Sequence, residues 1–190
     1  MKTIYMVAGL PRSGSTLLMN ILGQNPRFYV TPTSGIVDLL VQVRNLWDEN
    51  KVFCAMGRRQ SEAIKRNVLE GMLQSYFRHT DKTVCIDKNR LWPEYLEMAS
   101  ALLGGDDKIK VIMTVRDLRD VLASFERAFR HTSVLSQIPL EREDPLKSKT
   151  ALGRIDYFLG NAENVGRAYN TVRDAVTRGW RDRMHFVEYE

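Results

Sequence analysis

The chain is poor in residues that could organise it by cross-links or by metal. Two cysteines, Cys54 and Cys85, in 190 residues exclude a disulfide framework. No CxxC pair and no clustered His/Cys spacing suggests zinc, so no metal site is expected. Long apolar runs are also missing. None approaches the roughly 20 residues of a membrane span. The first apolar run begins at Ile4, which leaves no room for a signal peptide, and a cytoplasmic protein is the expectation. Basic residues exceed acidic ones only by 28 to 23, a net charge of +5. That excess suits an anionic ligand or an ordinary solvated surface equally well, and no nucleic-acid-binding motif accompanies it. There is no internal repeat, low-complexity tract or linker. Residues 1–190 therefore read as a single domain, long enough for a real core.

What is present is concentrated near the start. Residues 4–8 (IYMVA) form a short β-prone run. Residues 9–15 (GLPRSGS) are too rich in glycine and hydroxyls for regular structure. Residues 16–22 then alternate at helical spacing. Strand, glycine-rich turn and helix start make a phosphate cradle, where backbone N–H groups and the positive helix end meet an anion. A nucleoside-triphosphate P-loop reads G-x-x-x-x-G-K-[ST], with its lysine on the β/γ-phosphates. Here Gly9 and Gly14 have that spacing, but Ser15 stands at the lysine position. Arg12 restores a positive charge in a form that suits phosphate or sulfonate. A tight turn with a serine N-cap is the plain alternative.

The rest of the chain alternates. Residues 83–86, 110–115 and 184–189 read as further buried strands. Helices are expected over 36–47, over 61–77 with Ser61 as N-cap, from Pro93 to about 103, from the third strand's exit to about 130, and as one long helix over 152–178. Residues 23–35, 48–59 and 131–150 read as loops. Alternating strands and helices imply an α/β fold with P-loop-like architecture: three layers, a central parallel sheet and helices on both faces. Ligands in such sheets sit beyond the C-terminal strand ends. Three strands end in polar residues: GLPRSGST, DKNR from Asp87, and RDLRD from Arg116. Arg116 and Ser124, eight residues apart, can form a second phosphate site if the turn between them folds back. Arg116 can instead pair with Asp117 or Asp120.

GLPRSGSTLL and VRDLRDVLAS, in that order, resemble the sulfotransferases that use 3′-phosphoadenosine 5′-phosphosulfate (PAPS). The likeness is strongest to the tyrosylprotein and bacterial or phage-type branches, and runs from residue 3 to about 130. It implies that Arg12, Ser13, Gly14, Ser15 and Thr16 hold the 5′-phosphosulfate. Arg116 and Ser124 would hold the 3′-phosphate. Lys88 matches the lysine that neutralises the bridging oxygen during transfer. PAPS would be the co-substrate and 3′-phosphoadenosine 5′-phosphate (PAP) the product.

The general base is less legible. The tyrosylprotein-type enzymes carry a glutamate in the loop after the first helix, where this chain has Thr31-Pro32-Thr33-Ser34. Asp87 ranks first as a substitute, with Asp38 and His131 behind it. Neighbours on a strand face opposite ways, so Asp87 and Lys88 share a site only if the strand has ended before them. The chain stops in HFVEYE, a strand that family members continue into a further segment closing over the nucleotide. A domain lacking the C-terminal part of the family fold is therefore expected. The acceptor class is open among carbohydrate, peptide tyrosine, lipid and small metabolite. The rival readings are a P-loop kinase-like phosphotransferase, which the missing lysine disfavours, and a non-catalytic PAP- or nucleotide-binding module.

Overall fold

Five short runs become strands, and all their pairings are parallel: β1 (Thr3–Gly9), β2 (Phe28–Thr31), β3 (Val84–Lys88), β4 (Val111–Val115) and β5 (Met184–Glu188). The computed structural model describes residues 2–131, 145–160 and 164–189. The sheet order is β2-β3-β1-β4-β5, so β1 lies between β3 and β4. The chain winds outward from β1 to one edge, returns through β3, and then crosses to the other side. That reversal at β1 is a topological switch point, where a crevice opens beyond the strand ends. The three polar exits of β3, β1 and β4 are thus neighbours.

Helices cover both faces, as an all-parallel sheet requires. They are α1 (Ser15–Leu22), α2 (Ile36–Glu49), α3 (Lys51–Ala55), α4 (Arg58–Tyr76), α5 (Leu96–Leu103), α6 (Leu118–His131), α7 (Pro145–Ser148), α8 (Ala151–Leu159) and α9 (Asn164–Thr177). Alternation along the strands divides the core. Met6, Cys85 and Met113 pack with Leu40, Leu73, Trp92 and Leu96 on one face. Val7 and Ile86 pack against Met19 of α1 on the other. Among the described residues no helix is long and apolar enough to cross a membrane.

Four expectations need correction. Residues 28–31 are a strand at the sheet edge, not loop. Four residues between two prolines carry too short a pattern to read, and pairing with β3 decides the matter. Helix α4 starts at Arg58, behind Gly57, so Ser61 is no cap. Its hydroxyl instead accepts from Trp47 Nε1 at 2.9 Å. The 48–59 segment contains α3, capped by the side chain of Asn50. Residues 152–178 form two helices. Helix α8 stops at Gly160, and α9 packs back on it so closely that a Cβ on Gly166 would lie 2.2 Å from the Leu159 carbonyl oxygen. Apolar spacing continues through the break because α8 and α9 share a core of Val121, Phe158 and Val165. Of the expected 131–150 loop, residues 132–144 lie outside the described residues.

A mostly buried ion pair ties α6 to α8. Arg154 Nε donates to Glu126 Oε2 at 2.7 Å, a second bond runs from Arg154 Nη2 to Oε1, and Arg130 adds a third. The guanidinium also lies 4.6 Å over the Phe129 ring. Hydrogen bonding from Arg154 is the main cause that holds the Glu126 carboxyl down at about 2. A carboxyl depressed in the folded state stabilises fully above its unfolded value and loses that contribution as pH falls through the folded one. Arg154→Met should cost about 2 kcal/mol at pH 7, since it removes two of the three charge-assisted bonds to a largely buried carboxylate and leaves only the one from the exposed Arg130. The gap between wild type and Glu126→Gln in urea unfolding should close between about pH 5 and pH 2. A gap independent of pH over that range would show that the pair contributes nothing.

Candidate active site

The turn after β1 is held from below. Leu10 N donates to the Thr114 carbonyl at 3.0 Å. Ser13 is 1% exposed. Its hydroxyl donates to the Leu10 carbonyl at 2.5 Å and lies 2.7 Å from Thr114 Oγ1. Ser13 therefore staples the loop to β4, and its hydroxyl is committed to Leu10 and Thr114. Gly14 follows at φ 76°, a left-handed conformation, and a Cβ there would meet the Tyr189 ring at 2.4 Å. No side chain caps α1. Its first N–H groups and positive end are thus left to an anion, with the hydroxyls of Ser15 and Thr16 at the rim.

Side chains from three other segments converge on this turn. Arg12, itself at φ 62°, donates from Nε to Ser124 Oγ of α6 at 3.0 Å. Arg116, at the exit of β4, donates from Nη1 to the Arg12 carbonyl at 3.3 Å. Its guanidinium stacks 5.0 Å over the Tyr189 ring. Its Nε is buried and makes no hydrogen bond among the described residues; the nearest carboxylate oxygen, on Asp120, is 3.9 Å away. An orphaned guanidinium donor beside an uncapped helix start is what a second phosphate would complete. Ser124, expected beside Arg116, is bonded to Arg12, so the two expected anion positions are joined through Arg12.

Lys88 supplies the ammonium that the loop lacks. The register aligns Lys88 with Val7 and Asp87 with Met6. These two neighbours therefore point to opposite faces, Lys88 toward the α1 side. Lys88 Nζ reaches Thr16 Oγ1 at 3.2 Å. Burial, then repulsion from Arg90, pulls its pKa below the ordinary lysine value.

Asp87 lies on the other face and is 0% exposed. Its Oδ1 accepts from Thr31 Oγ1 and its Oδ2 from Trp92 Nε1, both at 2.8 Å. Burial raises its pKa against the hydrogen bonds that lower it. The condition for Asp87 and Lys88 to share a site is not met, because β3 runs through both. A carboxylate so enclosed has no path to a substrate proton in this geometry. The side chain of His131 lies outside the described part of the chain.

A cleft of about 670 Å³ has Arg12, Ser15, Asp38, Lys88, Arg90 and Arg167 on its walls, and Arg116 borders a neighbouring cavity with Leu10 and Val115. Asp38 is the one carboxylate in the described lining of the cleft, and its Oδ2 accepts from Asn89 Nδ2 at 2.9 Å. Asn89 also bonds the Ser34 carbonyl. Two residues escaped sequence reasoning. Tyr189 supports Gly14 and Arg116, but its only signal is its place just beyond a strand next to β4. Asn89 sits inside the polar DKNR exit, and its bonds to Asp38 and Ser34 come from chain far away in sequence.

Among curated proteins no sequence matches this chain. The model of the sulfotransferase family does match, over residues 5–190. The chain belongs to that family.

Proposed function

We propose that this member of the sulfotransferase family takes its sulfuryl group from PAPS and passes it in line to a hydroxyl or amine acceptor. Arg12, Ser15, Thr16 and the N–H groups that open α1 hold the 5′-phosphosulfate. Arg116 holds the 3′-phosphate, and Ser124 acts through Arg12. The acceptor oxygen or nitrogen bonds to sulfur as the bridging S–O bond breaks, and that electron pair leaves on the phosphate of PAP. Lys88 stands where it can stabilise the charge on the leaving oxygen. Asp38, which lines the same cleft as Lys88, takes the acceptor proton in this reading.

One observation supports this reading over a kinase-like one. The ammonium comes from β3 to Thr16 Oγ1, beside the hydroxyl at the position that binds Mg²⁺ in nucleotide P-loops. A cation there opposes a Mg²⁺–triphosphate and suits a bare phosphosulfate. Thermal-shift titration separates the two. PAP and PAPS should raise the melting temperature at micromolar concentration without added metal, and ATP with Mg²⁺ should not. Stabilisation by Mg·ATP alone would transfer the assignment to a phosphotransferase. Tight PAP binding without transfer to any acceptor tried would favour a binding module.

A further inference from the structure

We infer that Asp87 is a positioning residue that sets where the Lys88 ammonium stands and never touches a substrate. The inference rests on the role given to Lys88 above. The geometry begins with the hydroxyl of Thr31, which has a single proton. Asp87 Oδ1, at 2.8 Å, is its better acceptor; the Ile86 carbonyl is at 3.4 Å. With the proton committed to the carboxylate, a lone pair of Thr31 Oγ1 faces the Lys88 amide, which donates to it at 3.2 Å. On the other side of the residue, the Ser34 amide donates to the Lys88 carbonyl at 3.1 Å. Both peptide groups that flank the Lys88 side chain are therefore anchored to residues 31–34.

Asp87 in turn fixes that segment. One oxygen holds Thr31 at the end of β2. The other oxygen holds Trp92, itself 0% exposed, in the turn after β3. Three stretches of chain meet on one carboxylate, directly before the lysine. Its two donors, the Thr31 hydroxyl and the Trp92 indole, are neutral. An apolar residue of similar size would be cheaper to bury there, so stability alone is a poor account of this aspartate. Side-chain direction explains how it acts through the strand. The Lys88 stem leaves on the α1 face while its peptide is clamped from the other, and a shift of the clamp swings the ammonium away from Thr16.

Three variants test this: Asp87→Asn, Asp87→Ala and Thr31→Val, each checked by thermal melting. Asparagine can keep the clamp. Its Oδ1 accepts from Trp92, its Nδ2 donates to Thr31 Oγ1, and the threonine proton turns to the Ile86 carbonyl. Asp87→Asn should retain transfer within about 5-fold. Asp87→Ala and Thr31→Val should lose about 30-fold in kcat, with PAP affinity within about 3-fold of wild type, as a misplaced group costs rate more than binding. The acid limb of the pH–rate profile should survive in Asp87→Asn. A general base would give the opposite result: Asp87→Asn as inactive as Asp87→Ala, with that limb gone. Lys88 can also be followed without turnover, by competitive acetic anhydride labelling across pH, read by mass spectrometry. Its labelling profile should move in Asp87→Ala and stay in Asp87→Asn. An unmoved profile in Asp87→Ala overturns the inference. A wild type that neither binds PAP nor transfers sulfate overturns the functional reading instead, and the labelling result still decides the role of Asp87.

Discussion

Lys88→Ala is expected to abolish sulfuryl transfer, by about 10³-fold in kcat, while leaving PAP affinity within about 3-fold of wild type. The split follows from where the ammonium stands. It meets the cradle at the hydroxyl of Thr16, at the helix end where the bridging oxygen would lie. Charge builds on that oxygen only as the S–O bond breaks, so the interaction is strongest in the transition state. PAP keeps the 3′-phosphate that Arg116 would hold and is bound without this gain. Lys88→Arg should recover little, because a planar fork does not replace a compact ammonium at the Thr16 hydroxyl. The lowered pKa of Lys88 adds a pH signature. The protonated form is the useful one, so transfer should fall on the alkaline side below the ordinary titration range of lysine. A Lys88→Ala enzyme that retains wild-type kcat would remove Lys88 from the chemistry.

Much of this was legible in the sequence because local chemistry dictates it. An uncapped glycine-rich turn between an apolar run and a helix has few uses besides anion binding. The polar ends of three apolar runs became neighbours because a parallel sheet stacks its exits on one edge. The illegible parts are those decided by distant chain. β2 has only four residues, and its strand character comes from pairing with β3. Ser61 looked like a cap, yet its hydroxyl is taken by Trp47, fourteen residues earlier. Ser13 belongs to a phosphate-loop motif, but Thr114, a hundred residues on, turns its hydroxyl inward. Asp87 and Lys88 are adjacent letters on opposite faces, and only the register showed that the strand continues through both. Tyr189 lies in the HFVEYE strand end, but nothing in that run points to the phosphate loop. Its role comes from β5 lying beside β4, which sets its ring under Arg116 and against Gly14.

Arg116→Ala should weaken PAP binding about 100-fold, which corresponds to losing a charge-assisted pair of hydrogen bonds of about 2–3 kcal/mol. The residue is well prepared for such a bond. Its stem emerges at the end of β4, its Nη1 is steadied by the Arg12 carbonyl, and its plane rests on Tyr189. Little side-chain entropy is then left to lose on binding. Its buried Nε has no hydrogen-bond partner among the described residues, so an arriving phosphate relieves a desolvated donor as well as adding a bond. Asp120, 3.9 Å from that Nε, is a competitor with long geometry, and Asp120→Asn should change affinity by less than about 3-fold. The loss in Arg116→Ala should appear with PAP and vanish with adenosine 5′-phosphosulfate, which has no 3′-phosphate. That contrast, measured by calorimetry on wild type and variant, isolates the second anion position. An equal loss with both nucleotides would mean that Arg116 serves only to brace the turn at Arg12, and that a single phosphate site explains the cradle.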